Sequence, residues 1–143
     1  MSTEENKATI RRYFDEIINR GNMDAFGEFM AQNVFGYDAT DTEPVVGFES
    51  VKQVMVMFHA AFPDMQCPIY DLLAEDDKVV VRWGLRGTHR GAFMGAPASG
   101  RTVDVTGIII YRLKDRKIVA YWGNFDTLGL MKQLNAIQVQ KAG

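Results

Sequence analysis

The sequence predicts an α+β fold in which a curved, mostly antiparallel sheet is wrapped by N-terminal helices, all within one domain covering residues 1–143. Three observations carry the prediction. Residues 79 to 126 read as three long strands, the first alternating Val79, Val81, Trp83 and Leu85 on one face with Val80, Arg82 and Arg86 on the other. Residues 102 to 113 repeat the β-branched and aromatic pattern, Asp115-Arg116-Lys117 supplies a polar turn, and Ile118 to Phe125 runs back as the third strand. Only the segments before residue 62 and after residue 126 remain to cover one face of this meander.

Each element follows from local chemistry. Thr3-Glu4-Glu5 offers a capping hydroxyl followed by carboxylates at the positive end of a helix dipole. Ile10, Tyr13, Phe14, Ile17 and Ile18 then form one helical stripe that Gly21 ends. Asp24 is expected to cap a second, short helix with Phe26, Phe29 and Met30 on its apolar face, and residues 33 to 39 read as a short strand. After an acidic loop at Asp41 to Pro44, a third helix opens around Ser50 with Val51, Val54, Met55, Phe58 and Phe62 as its buried stripe. Pro63 stops it, because proline cannot continue the hydrogen-bond ladder. Met65 to Ala74 reads as a strand that turns at Glu75-Asp76-Asp77-Lys78 into the meander. Asp126 opens a terminal helix reaching Leu134, and the last residues look frayed. Helices packed on a bent sheet leave a cone whose wide interior is the natural ligand site.

Composition narrows the function classes. With 47% apolar and 24% charged residues the chain reads as a soluble globular domain. A net charge of -2 with no Lys/Arg stripe argues against a nucleic-acid partner. The polar, acidic first residues and the lack of a long apolar run predict no signal peptide and no membrane span, hence a cytoplasmic protein. Cys67 is the single cysteine, so neither an internal disulfide nor a thiolate metal cluster can form. The two histidines are 30 residues apart, and no phosphate-cradling glycine loop or Ser/His/Asp order is present, so neither a metal nor a cofactor is expected.

The most specific stretch is the loop Gly87-Thr-His-Arg-Gly-Ala-Phe-Met-Gly-Ala-Pro-Ala-Ser-Gly-Arg101. Together with Ala61-Phe-Pro-Asp64, Ile110-Tyr-Arg112, Lys117-Ile118 and the run from Trp122 through Asp126-Thr-Leu-Gly129 to Gln133-Leu134, it resembles the SnoaL-like polyketide cyclases. That family is a branch of the cone-shaped superfamily of nuclear transport factor 2 (NTF2) and ketosteroid isomerase. The resemblance spans nearly the whole chain and implies an NTF2-like cone. It also implies a cofactor-free intramolecular aldol closure, with an acid/base residue removing a proton beside a carbonyl. In the cyclases that work falls to an Asp on the last strand and a His on the strand before it. The matching positions here are Gly123 and Ile109, neither of which can carry a proton. A further pocket position, two residues before the acid, holds Tyr121.

Other residues are therefore weighed for the chemistry. Asp38, in Gly-Tyr-Asp-Ala, matches the place of the general base when Asn19-Arg-Gly21 is aligned with ketosteroid isomerase. A carboxylate among apolar neighbours is a workable base, and a turn-forming Asp is the alternative. His59, beside the buried stripe of the third helix, reads either as a hydrogen-bond donor to a ligand or as a satisfied boundary residue. His89 is expected to organise its loop, Asp126 to cap its helix, and Asp104 to point away from the cone. Asp38, Tyr121 and His59 are thus the catalytic candidates. Tyr13, Phe14, Met55, Trp83, Ile109, Gly123 and Phe125 are the candidates for the ligand-facing wall, with Gly123 enlarging it.

These readings point to a small hydrophobic carbonyl or polyketide-like compound as the partner. A non-catalytic binding protein and a dimerisation module with a filled cavity are the rivals. The outer face of the meander, with Ile108, Ile110 and Val80, is apolar enough to predict a homodimer or a larger homo-oligomer.

Overall fold

Ser2, not Thr3, opens the first helix: its hydroxyl accepts the N–H of Glu5 at 3.0 Å while its own backbone stays extended, as a cap requires. The computed structural model describes residues 2–38 and 40–137; Ala39 and the last residues, expected as a strand end and a frayed tail, lie outside them. Helix α1 (Thr3–Tyr13) runs directly into a π-helical stretch, Phe14–Asn19. The wider turn keeps Tyr13, Phe14, Ile17 and Ile18 all buried, so the expected stripe survives a change of helical period. Gly21 ends the run with φ +67°, a conformation that L side chains avoid.

Asp24 does not cap the second helix. It sits inside a 3₁₀ turn (Met23–Ala25), and the single-turn helix α2 (Phe26–Phe29) follows with no side-chain cap. The chain is held there by burial instead, since Phe26, Phe29 and Met30 are each about 1% exposed. Strand β1 (Met30–Tyr37) begins earlier than expected because Met30 already pairs with Ile118. The two-residue strand β2 (Val45–Val46), too short to show a period in the sequence, pairs with β1. Helix α3 (Phe48–Ala61) follows Gly47.

The meander is β3 (Ile69–Glu75), β4 (Lys78–Thr88), β5 (Thr102–Lys114) and β6 (Lys117–Phe125), closed by helix α4 (Thr127–Gln133). The six strands form one sheet in the order β2-β1-β6-β5-β4-β3, antiparallel except where β1 lies parallel to β6. The third expected strand is shorter than its sequence pattern. Pro68 lacks an N–H for the ladder, so Met65 and Cys67 stay buried in an extended lead-in whose only bridge is Gln66 to Arg86. Asp126 caps α4 as expected, accepting the N–H of Gly129 at 2.8 Å. Gln133 then clamps α4 to β5 by exchanging two hydrogen bonds with the Asp104 backbone at 2.7 and 3.0 Å.

Alternation sorts the two faces of the sheet. Val79, Val81 and Leu85 of β4 and Val103, Val105, Ile109 and Tyr111 of β5 are buried under the helices. On the outer face Trp122, Ile110, Val80 and Leu73 are successive cross-strand partners on β6, β5, β4 and β3. Leu73 there is 65% exposed and the neighbouring Ile108 52%. No helix among the described residues is long and apolar enough to cross a membrane.

Candidate functional site

Between the helices and the inner face of the sheet lies a cavity of about 90 Å³. Its walls come from four directions. The α1 end and its π-helical continuation contribute Tyr13, Phe14 and Ile18; α3 contributes Val51, Val54, Met55 and Phe58. Strand β4 turns Trp83 and Leu85 inward, β5 turns Ile109 and Tyr111, and β6 turns Tyr121 and Phe125. Met65 and Cys67 come from the lead-in to β3, and Asp38 from the end of β1. Val54, Met55 and Phe58, expected as part of the buried stripe of α3, are only half-buried because they face this space, as expected for Met55 as a wall residue.

The cavity has one polar end. Gly36 makes it possible: a Cβ there would fall 2.1 Å from the Tyr121 ring, so only glycine lets the ring lie across β1. The Tyr121 hydroxyl then donates to Asp38 Oδ2 at 3.3 Å. The Asp38 backbone does sit in a turn, accepting the Asp41 N–H at 2.7 Å, but the side chain that closes it is that of Asp41, which accepts the Asp38 N–H at 3.0 Å. The Asp38 carboxylate is thereby free for the cavity. Burial, and secondly the negative charge of Asp41, push it up to about 6, against the opposing Tyr121 hydrogen bond.

Two more phenols complete this end. The rings of Tyr13 and Tyr111 lie 5.9 Å apart edge to face, and those of Tyr111 and Tyr121 lie 6.4 Å apart. All three tyrosines are held well above the ordinary phenol range, first by burial; Asp38 is a further cause for each of them. They therefore stay protonated donors at any working pH. Neither the Tyr13 nor the Tyr111 hydroxyl has a hydrogen-bond partner among the described residues. Tyr111 and Cys67 were not singled out from the sequence, although the alternation that turns Ile109 inward also turns Tyr111. The Cys67 thiol is pushed up to about 12 by burial, so it is a small apolar wall element and not a nucleophile.

Two expected residues stand elsewhere. His59 does not line the cavity: its Nε2 pairs with the Ile18 carbonyl oxygen at 2.9 Å, tying α3 to the π-helical stretch, the boundary role weighed for it. Gly123 does not widen the wall. The place of its missing Cβ lies 3.1 Å from Ile109 Cδ1, so the isoleucine fills the room that glycine leaves. The remaining expected residues, Tyr13, Phe14, Met55, Trp83, Ile109 and Phe125, do meet around one space with Asp38 and Tyr121. Among the described residues no group of three or more His, Cys, Asp or Glu side chains could hold a metal ion.

The signature loop lies at the other end and is spent on structure. Arg90 and Gly91 donate their N–H groups to the Ala61 carbonyl oxygen at 2.9 and 3.2 Å, and Asp64 accepts both the N–H and the hydroxyl of Thr88 at 2.8 and 2.7 Å. His89 is fully buried against Phe62. Its Nδ1 accepts the Ser99 N–H at 3.2 Å and lies 2.9 Å from the Ser99 hydroxyl, which closes the loop. Phe93 drops from that loop onto Phe58 and Phe62, each 5.3 Å away, and seals the aromatic end of the cavity.

The same architecture is found in solved proteins. The chain is similar to a protein of Jannaschia sp. CCS1 provisionally assigned as a SnoaL-like polyketide cyclase, with 27% identity, 95% of each chain covered and a TM-score of 0.87. It is similar to AclR of Streptomyces galilaeus, provisionally assigned as a hydroxylase, with 25% identity over 96% of this chain and 100% of that one and a TM-score of 0.84. IdmH of Streptomyces antibioticus, provisionally assigned as a polyketide cyclase, shares 28% identity over 91% and 98% of the two chains with a TM-score of 0.76. No curated protein matches. Since one fold carries differently assigned activities, the chemistry has to come from the site. The family model of the SnoaL-like polyketide cyclases matches residues 8–134, and the chain belongs to that family.

Proposed function

We propose that this protein acts on a small hydrophobic carbonyl compound by acid/base chemistry that needs no cofactor, with Asp38 as the base. The observation that carries the reading is the Asp38–Tyr121 pair at the one polar end of an otherwise apolar cavity. A carboxyl group near 6 is mostly ionised at neutral pH yet basic enough to take a proton from carbon beside a carbonyl. The C–H bond breaks, its electron pair moves into the carbonyl to give an enolate, and the proton goes to Asp38. Tyr121 aims the carboxylate. The hydroxyls of Tyr13 and Tyr111, which have no partner among the described residues, are the donors for the enolate oxygen, a stabilisation that does not depend on the positions held by Ile109 and Gly123. His59 has no part in this reading, because its ring is engaged with Ile18.

The test is proton exchange. In deuterated buffer the protein should exchange the acidic C–H protons of 2-cyclohexen-1-one, followed by NMR, and Asp38→Asn should lower the rate by about 10²–10⁴-fold. Equal exchange by both proteins would refute the assignment. The apolar pair Ile109 and Gly123 favours a second reading, a binding protein of the same fold. Tight binding of the ketone with no exchange above buffer would select it.

The same proposal takes the working form as a homodimer joined through the outer face of the sheet. The row Trp122, Ile110, Val80 and Leu73, with Ile108 beside it, is the apolar surface that a second copy would cover. Sedimentation should give twice the chain mass, and Leu73→Lys with Ile108→Lys should return it to the monomer. A monomer at micromolar concentration in the unaltered protein would remove this part of the proposal.

A further inference from the structure

We infer that Ile109, folded over Gly123, is the residue that sets ligand size, and that the site takes single-ring or comparably short carbonyl compounds and excludes fused rings. The inference rests on the reading above only in taking this cavity as the ligand site. Three observations lead to it. At about 90 Å³ the space is well below the roughly 150 Å³ of an apolar cavity known to admit benzene, so even one ring needs the half-buried side chains of α3 to give way, and a second ring needs far more. Ile109 and Gly123 are register partners in the middle of the β5–β6 wall. The next inward rows are Tyr111 with Tyr121 on the polar side and Gly107 with Phe125 on the aromatic side. Ile109 therefore stands midway along any ligand that reaches from Asp38 toward Phe125.

Its position cannot be vacated by a small adjustment. Ile109 Cδ1, Cγ1 and Cβ lie 3.1, 3.3 and 3.6 Å from where a Gly123 Cβ would be, so the side chain occupies the whole hollow that the glycine provides. Ile109 is also a β-branched residue on a central strand, with its χ1 confined. The lining residues of α3, Met55 and Phe58, are half-buried and can give way; Ile109 is 8% exposed and belongs to the sheet. Trimming Ile109 would open a hollow beneath it that no other side chain claims, because the partner is glycine. A fused second ring would have to enter that same hollow.

Binding of 2-cyclohexen-1-one, 1-tetralone and anthrone, measured by calorimetry, tests this. The unaltered protein should bind the single-ring ketone at least tenfold more tightly than either fused-ring ketone, the reverse of what hydrophobicity alone gives. Ile109→Ala should raise the affinity for 1-tetralone at least tenfold. Ile109→Val, a milder change that keeps the strand's β-branched residue, should raise it about threefold. The inference fails if the unaltered protein binds no single-ring ketone, if it binds 1-tetralone as well as 2-cyclohexen-1-one, or if the folded valine variant leaves the affinity for 1-tetralone unchanged. Exchange and size selection separate the two proposals. Size order without proton exchange would end the acid/base reading and keep this one, and exchange without size order would do the opposite.

Discussion

The two ends of this protein's cavity are built from the same kinds of residue and put to opposite uses. At the end near the α3 terminus the polar side chains are hydrogen-bonded within the loop, Asp64 to Thr88 and His89 Nδ1 to Ser99, and the buried His89 Nε2 is left without a partner among the described residues. At the β1 end, Asp38 and three tyrosines stand in largely apolar surroundings, two of the hydroxyls without a partner among the described residues. The first group lowers the energy of the fold. The second raises it, since a carboxyl group pushed up to about 6 is one that folding has placed where its charge is costly. What the difference teaches is that the most recognisable motif of the chain is its latch, while the chemistry proposed here is assigned to residues that carry no motif.

The comparison breaks most visibly at the latch. His89→Ala removes a fully buried ring, its contact with Phe62 and the acceptor of the Ser99 N–H together. The expected loss is about 2–4 kcal/mol of stability, read by denaturant unfolding. Below its melting temperature the variant should keep the proton exchange assigned to Asp38. Exchange abolished in a still-folded His89→Ala protein would mean that the two ends are not separate in function.

A smaller effect of opposite sign is expected at the other end. Asp38 ionises at about 6 in the folded protein, against an ordinary 3.8, so between those values the folded state binds more protons than the unfolded state. Stability is therefore lost as pH rises through that window and stays lower above it. Asp38→Asn removes the titrating charge while keeping an acceptor for Tyr121. The variant should be more stable than the parent by about 2 kcal/mol at pH 8 and indistinguishable from it at pH 4. Thermal unfolding at the two pH values reads this directly. A difference independent of pH would show that Asp38 is not held at a raised pKa.

How far the sequence disclosed all this follows the same division. Periodicity located every long element, because burial of one face imposes a period on any helix or strand of several turns or residues. It failed where an element is very short or aperiodic: β2 has two residues, the single-turn α2 is expected but its lack of a side-chain cap is not, and the π-helical stretch departs from the helical period while burying the same side chains. Alternation on β5 and β6 correctly turned Ile109, Tyr121 and Phe125 inward, and it already contained Tyr111. What no period encodes is how two inward side chains share space. Gly123 reads as extra room although Ile109 fills it, and His59 reads as either ligand-facing or a boundary residue, a choice that only its bond to the Ile18 carbonyl decides. Both depend on contacts between residues far apart in the chain.

The finest test of the contrast lies in one hydroxyl. Tyr121 is the one hydrogen-bond donor in the described structure that reaches the Asp38 carboxylate, and at 3.3 Å the bond is long. It opposes the two influences that push Asp38 upward, burial and Asp41. Tyr121→Phe keeps the ring over Gly36 and removes only this bond, so the carboxyl group should rise further. The acidic limb of the exchange rate against pH should then move up by about half a pH unit, while the plateau at high pH, where Asp38 is ionised in either protein, falls less than tenfold. A plateau lowered a hundredfold with an unmoved limb would give Tyr121 a different task, donating to the reacting carbonyl, and would leave Asp38 to be held by its apolar surroundings alone.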